Sequence, residues 1–135
     1  MRKVKYLAVH CTATAQTATV ENIQKYWREN RGWQMPGYHF IIKANGELVH
    51  LLDVEKVSNG VKGFNSETIN ISYIGGVDGN NPKDTRTPQQ KATLLKLLKE
   101  LKTKYPNAII QGHRDFPNVS KACPSFDAKS EYKNI

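Results

Sequence analysis

Two residues near the end of the chain are of types that do chemistry together. Gly112-His113-Arg114-Asp115 is followed, a short loop later, by Lys121-Ala122-Cys123-Pro124. A histidine and a cysteine with a cation beside them are the makings of a zinc site with an electrophilic helper. Two ligands do not make a site, so a third is sought at the other end of the chain. There His10 closes the apolar run Tyr6-Leu7-Ala8-Val9. His10, His113 and Cys123 with water in a fourth position would be the catalytic pattern, since a structural site closes with four protein ligands. Zinc so held lowers the pKa of bound water toward roughly 7 and polarises a carbonyl oxygen. Cys123 would bind as the thiolate, with Lys121 favouring the anion. Spacing alone leaves a plainer alternative open: two satisfied histidines and a buried, inert cysteine. Distant ligands carry no local signature that decides between them. His39 and His50 are further candidates, more simply read as structural or surface histidines.

Composition bounds the answer. The chain has 135 residues, enough for one domain with a sizeable core. Its net charge is +8. The plain reading is a solvated basic surface; the sharper one is attraction to an anionic partner such as a bacterial envelope. The lysines are scattered, without a basic run or an interleaved aromatic stripe, so no nucleic-acid partner is expected. Cys11 and Cys123 are the two cysteines, too few for a disulfide framework. The N-terminal apolar run is shorter than the roughly seven to fifteen residues of a signal peptide. No run approaches the roughly twenty residues of a membrane helix. The expectation is a protein made in the cytoplasm, without membrane insertion, whose release needs another protein.

The elements that must hold these side chains can be read in order. Residues 5–10 form a first strand, on which His10 and Cys11 point to opposite faces, so only one of them serves a given site. A helix runs from about Thr19, its N-cap, to Arg31, with Val20, Ile23, Tyr26 and Trp27 inward and Gly32 ending it. Trp27 is read as core. Residues 38–42 and 47–52 are strands joined by an Asn45-Gly46 hairpin turn. Residues 53–66 are an irregular loop, of a length that suggests function. A strand follows at 68–75, where Ile69, Ile71 and Tyr73 alternate with Asn70 and Ser72, and then a polar loop at 77–86. Thr87-Pro88-Gln89-Gln90 is a capping box with proline at the first helical position. Leu94, Leu95, Leu97, Leu98 and Leu101 give that helix one broad apolar face. A last strand at 108–112 delivers His113, and a short helix at 125–132 closes the chain. Strands alternating with helices, plus one hairpin, predict an α/β fold: a mixed sheet with helices packed on it. If the strands ending at His10 and His113 are parallel, both histidines emerge at the sheet edge where open α/β sheets bind ligands.

Several segments carry a resemblance when taken together. They are Val9-His10-Cys11-Thr12-Ala13-Thr14, Gly32-Trp33 with Gly37-Tyr38-His39-Phe40-Ile41-Ile42, Ser72-Tyr73-Ile74-Gly75-Gly76, Gly112-His113-Arg114-Asp115 and Lys121-Ala122-Cys123-Pro124-Ser125-Phe126-Asp127. In this order, over nearly the whole chain, they resemble the zinc-dependent N-acetylmuramoyl-L-alanine amidases. That family includes the short phage endolysins, which this chain resembles most, and the peptidoglycan recognition proteins. The resemblance implies a single catalytic domain over 1–135 without a separate wall-binding domain. It implies zinc on His10, His113 and Cys123, with Tyr38 and Lys121 assisting catalysis. The expected reaction is hydrolysis of the amide between N-acetylmuramic acid and L-alanine in peptidoglycan, reached through a separate export or holin-type protein.

Within that resemblance Lys121 would stabilise the oxyanion of the tetrahedral intermediate, and Tyr38 would hydrogen-bond the water or the scissile group. Cys123 speaks against a member that only binds. Asp115 and Asp127 are read as orienting or capping residues, not as a carboxylate pair for glycoside cleavage. One departure is visible. Phage relatives carry a histidine in the loop before Lys62-Gly63-Phe64-Asn65, where this chain has Gly60-Val61. The second class of function is a wall-binding or regulatory protein of the same fold, such as one that contacts a phage RNA polymerase.

Overall fold

A computed structural model describes residues 2–135. Its strands are β1 (Tyr6–Cys11), β2 (Phe40–Ile42), β3 (Leu48–His50), β4 (Thr68–Tyr73), β5 (Val77–Asp78), β6 (Asn81–Pro82) and β7 (Ile109–Gly112). Its helices are α1 (Val20–Asn30), α2 (Pro88–Lys104) and α3 (Ala128–Glu131), with 3₁₀ turns at Asn65–Glu67 and His113–Asp115. Five strands form one mixed sheet in the order β3-β2-β4-β1-β7. β1 runs parallel to β4 and β7, β2 runs parallel to β4, and only β3 is antiparallel. The predicted α/β fold with a mixed sheet and flanking helices is therefore the one observed.

Strand alternation sorts the core onto two faces. Leu7, Val9 and Cys11 of β1, with Ile69, Ile71 and Tyr73 of β4, pack beside Leu94, Leu97, Leu98 and Leu101 of α2. On the other face, Val20, Ile23 and Trp27 of α1 pack on Ile41 and Ile74. The polar alternates of β4 do not mark a wet face: Asn70 and Ser72 are fully buried. Buried polar groups need partners, and those of Asn70 belong to the site.

The helix starts follow the sequence closely. Thr19 caps α1 by accepting from the Asn22 N–H. Thr87 caps α2 in a complete capping box with Gln90. Gln90 also reaches inward, its Nε2 donating to the carbonyls of Ile42 at 3.1 Å and Ile74 at 3.0 Å. It thereby pins α2 to the ends of β2 and β4. Gly32 takes φ +65, as a helix-ending glycine does.

Some boundaries and faces differ from the sequence reading. Leu95 and Tyr26 are exposed, because each lies at the margin of its helix's apolar stripe and the sheet reaches only the centre. The polar loop at 77–86 contains the two-residue hairpin of β5 and β6. The closing helix is confined to Ala128–Glu131, because Asp127 is its N-cap and accepts from Ser130 N–H at 3.1 Å. No helix among the described residues is long and apolar enough to cross a membrane.

Candidate metal centre and its cleft

His10 lies near the end of β1 and His113 directly follows β7. Because those strands are parallel neighbours, the two imidazoles meet at one sheet edge, with ring centroids 4.7 Å apart. Cys123 arrives on the loop after β7. Its carbonyl accepts from Arg114 N–H at 2.8 Å. Tyr73 donates its hydroxyl to the Pro124 carbonyl at 2.7 Å, and Ser125 donates to the Gly76 carbonyl at 2.8 Å. Gly112 is needed for this close return, since a Cβ there would stand 2.6 Å from Pro124 Cδ. The result is that one donor atom each of His10, His113 and Cys123 lies within 4.8 Å of the others.

The donors have the character a soft divalent cation needs. Burial, then the neighbouring His113, pushes His10 down to about 3, and burial with the nearby Lys121 charge pushes His113 down to about 4. Both rings are therefore neutral at pH 7, with a lone pair each to offer. The Cys123 sulfur lies 3.8 Å from His10 Nδ1 and accepts the Cys11 backbone N–H at 3.2 Å. The Cys11 thiol, then burial, push the Cys123 thiol up. The Cys11 side chain itself belongs to the α2-side core, as the alternation requires.

His10, His113, Cys123, Tyr38 and Lys121 all line one cleft of about 550 Å³. The Tyr38 ring stands 5.0 Å from that of His10, and its hydroxyl donates to the Cys11 carbonyl at 3.3 Å. Trp27 packs edge-on against Tyr38 at 5.3 Å, so this tryptophan is both core and the wall behind a site residue. Burial first, then the two thiols, hold the Tyr38 phenol above its usual range, so it stays protonated. Lys121 is exposed on the cleft wall.

The other singled-out residues have structural partners. His39 is fully buried and bonded at 2.7 Å to the Lys56 carbonyl, and His50 stacks on Phe40. Asp115 accepts from Gly112 N–H at 2.8 Å and Asp127 caps α3. Gly60 lies on the cleft, and a Cβ there would overlap the Asn70 carboxamide. The sequence reading gives Asn70 only as a polar alternate of its strand and gives Ser58 no role. The one available signal was a carboxamide in the middle of an apolar strand, which must find a partner if buried.

Comparison with known proteins follows the same lines. The sequence matches the N-acetylmuramoyl-L-alanine amidase family over residues 1–126. An endolysin of Klebsiella phage KP32 is 38% identical over 130 residues, spanning 95% of this chain and 85% of that protein. An endolysin of Escherichia phage T7 is 39% identical over 124 residues, spanning 90% of this chain and 80% of that protein. The solved amidase LysC from Clostridium intestinale superposes with a TM-score of 0.80 at 25% identity, over 96% of this chain and 82% of its own. With sheet, cleft and sequence in agreement over nearly its whole length, this chain belongs to the N-acetylmuramoyl-L-alanine amidase family.

Proposed function

We propose that this chain hydrolyses the amide between N-acetylmuramic acid and L-alanine in peptidoglycan, using zinc held by His10, His113 and Cys123. The observation that carries the reading is the convergence of those three donor atoms within 4.8 Å at the head of a cleft. Two neutral imidazoles and a cysteine that loses its proton to bind as thiolate suit zinc, whereas magnesium and calcium prefer oxygen donors. When bound, the ion supplies a Lewis acid and a water of lowered pKa.

The chain's own residues do the rest. Lys121, the cation on the cleft wall, stabilises negative charge developing on the scissile carbonyl oxygen. Tyr38 keeps its proton and would turn it from the Cys11 carbonyl toward the reacting amide. Ile23, Trp27 and Trp33 give the cleft an apolar wall, against which a bound substrate would displace water. In this proposal residues 1–135 act as one catalytic unit. Action on the wall follows release by a separate export or holin-type protein.

The test is an incubation with isolated peptidoglycan. The expected result is new amino termini on L-alanine without new reducing ends, abolished by a chelator and restored by zinc. Reducing ends instead, or release undiminished after complete metal removal, would overturn the reading.

A further inference from the structure

Behind His10 lies a buried polar network. His10 Nε2 is 2.7 Å from Asn70 Oδ1. Asn70 Nδ2 is 2.7 Å from Ser58 Oγ, which is 3.2 Å from His39 Nδ1. The Asn70 backbone nitrogen is 3.0 Å from that same Nδ1, and His39 Nε2 is 2.7 Å from the Lys56 carbonyl. His10, His39, Ser58 and Asn70 are all shielded from bulk solvent.

The direction follows from the far end. The Lys56 carbonyl only accepts, so His39 Nε2 carries the proton and Nδ1 is the acceptor. The Asn70 backbone N–H, which only donates, requires the same. Ser58 then turns its hydroxyl hydrogen to Nδ1, sharing that lone pair with the Asn70 N–H; turned elsewhere, an oxygen lone pair would face the nitrogen's at 3.2 Å. With that hydrogen committed, Ser58 Oγ accepts from Asn70 Nδ2. The amide is thereby oriented with Oδ1 toward His10, and Oδ1 can only accept. His10 must carry its proton on Nε2, which leaves the lone pair on Nδ1, the nitrogen that faces Cys123 Sγ at 3.8 Å.

We propose that Asn70, oriented by Ser58 and His39, is a positioning residue that holds His10 in the Nε2–H tautomer and presents Nδ1 to the metal. It touches neither substrate nor metal. Partners of this kind fix the ring and raise its basicity, and losing one typically costs ten- to a hundredfold in metal affinity. Gly60 is part of the device, because any side chain there would displace the carboxamide. The effect on affinity rests on the zinc reading above; the tautomer does not.

The experiment has two arms. Nitrogen-15 NMR of the metal-free wild type at pH 7 should show His10 protonated on Nε2 and bare on Nδ1. The Nδ1–H tautomer would overturn the proposal, whatever the metal. In the second arm, zinc affinity is measured by chelator competition, with folding checked by circular dichroism. Asn70→Ala should weaken zinc about ten- to a hundredfold, and Asn70→Asp, which keeps an acceptor toward Nε2, should restore most of it. Gly60→Ala should weaken zinc similarly. The double variant Gly60→Ala/Asn70→Ala should be no weaker than Asn70→Ala, because both act through one contact. If Asn70→Ala does not fold, Ser58→Ala replaces it and should lose zinc affinity several-fold. Unchanged affinity in a folded Asn70→Ala, or in the substituted Ser58→Ala, would overturn the positioning role. A wild type that takes up no zinc would instead overturn the metal reading.

Discussion

At the scale of single residues, the two neighbouring cysteines influence each other but differ in place. Cys11 meets Cys123 Sγ through its backbone N–H, while its own side chain packs in the core. Cys11→Ser keeps that N–H, so it should leave zinc content near one per chain. Cys123→Ser and His113→Ala each remove one of three ligands and should lose most of the metal. Metal analysis of the purified variants decides this, and loss in Cys11→Ser would mean that the wrong residue has been chosen at this strand end. Lys121 makes a sharper test of mechanism. As an oxyanion stabiliser it acts where charge develops, so Lys121→Ala should lower turnover about a hundredfold or more with zinc content unchanged. Lys121→Arg should recover only part, since a planar fork replaces a compact ammonium. Full turnover in Lys121→Ala would leave the metal as sole electrophile.

At the scale of elements, the buried amide of Gln90 adds hydrogen bonds to the sheet on which the leucines of α2 pack. Gln90 donates to the carbonyls of Ile42 and Ile74, and accepts the Thr87 N–H at 2.9 Å. Gln90→Leu nearly keeps the volume and strands the Ile74 carbonyl and the Thr87 N–H, whereas the Ile42 carbonyl keeps the Ile74 N–H at 3.0 Å. The expected loss is about 3 kcal/mol, since each unsatisfied buried group costs about 1–3 kcal/mol and the site partly relaxes. Urea unfolding of the metal-free protein measures it. Neither α2 nor β2 carries a proposed ligand, so zinc affinity of the folded variant should be unchanged. A large loss of affinity would show that the helix shapes the centre at a distance.

At the scale of the whole molecule, Arg86 ties the segment before α2 to α3. Its guanidinium pairs with Asp84 and Glu131, both at 2.8 Å, reaches Tyr132 Oη at 2.9 Å, and lies 3.4 Å from the Phe126 ring centroid. Arg86 holds Glu131 below the ordinary 4.5; for Asp84, burial pushes up from 3.8 but the Arg86 bonds outweigh it. Depressed carboxyl values stabilise the fold above their ordinary values, and this is lost as pH falls through the folded ones. Stability should therefore drop as pH goes below 4.5, and Arg86→Met should flatten that limb. The same substitution should cost about 2–3 kcal/mol at pH 7, less than a fully buried pair because both carboxylates keep solvent. At higher pH the buried His39, pushed down to about 4 from 6.5 by desolvation, has the opposite preference for its charged form. The unfolded chain takes up that proton first, as it does those of His10 and His113, so stability should already decline by up to three protons' slope as pH falls from 6.5 to about 4. Denaturant titrations across this range check both.

What could be read without coordinates was local or periodic. Thr19 and Thr87 announced their helices because a cap and its partner lie three residues apart. Leu7 and Val9, like Ile69 and Ile71, announced buried strands, and the alternation at His10 and Cys11 assigned them correctly to opposite faces. Residue types and strand ends name His10, His113 and Cys123 as candidate ligands, but only the resemblance favours them over a plainer reading, since ligands drawn from opposite ends of the chain have no common spacing. Only the tertiary structure brought their donor atoms together, because parallel pairing of β1 with β7 is a contact across the chain. It alone left Leu95 outside the core, where the sheet does not reach. It also set Asn70 behind His10, over a Gly60 that leaves room for it. A buried amide announces in the sequence that it needs partners. Which partners, and hence which nitrogen of His10 is left bare, depends on residues that meet only when the sheet has formed.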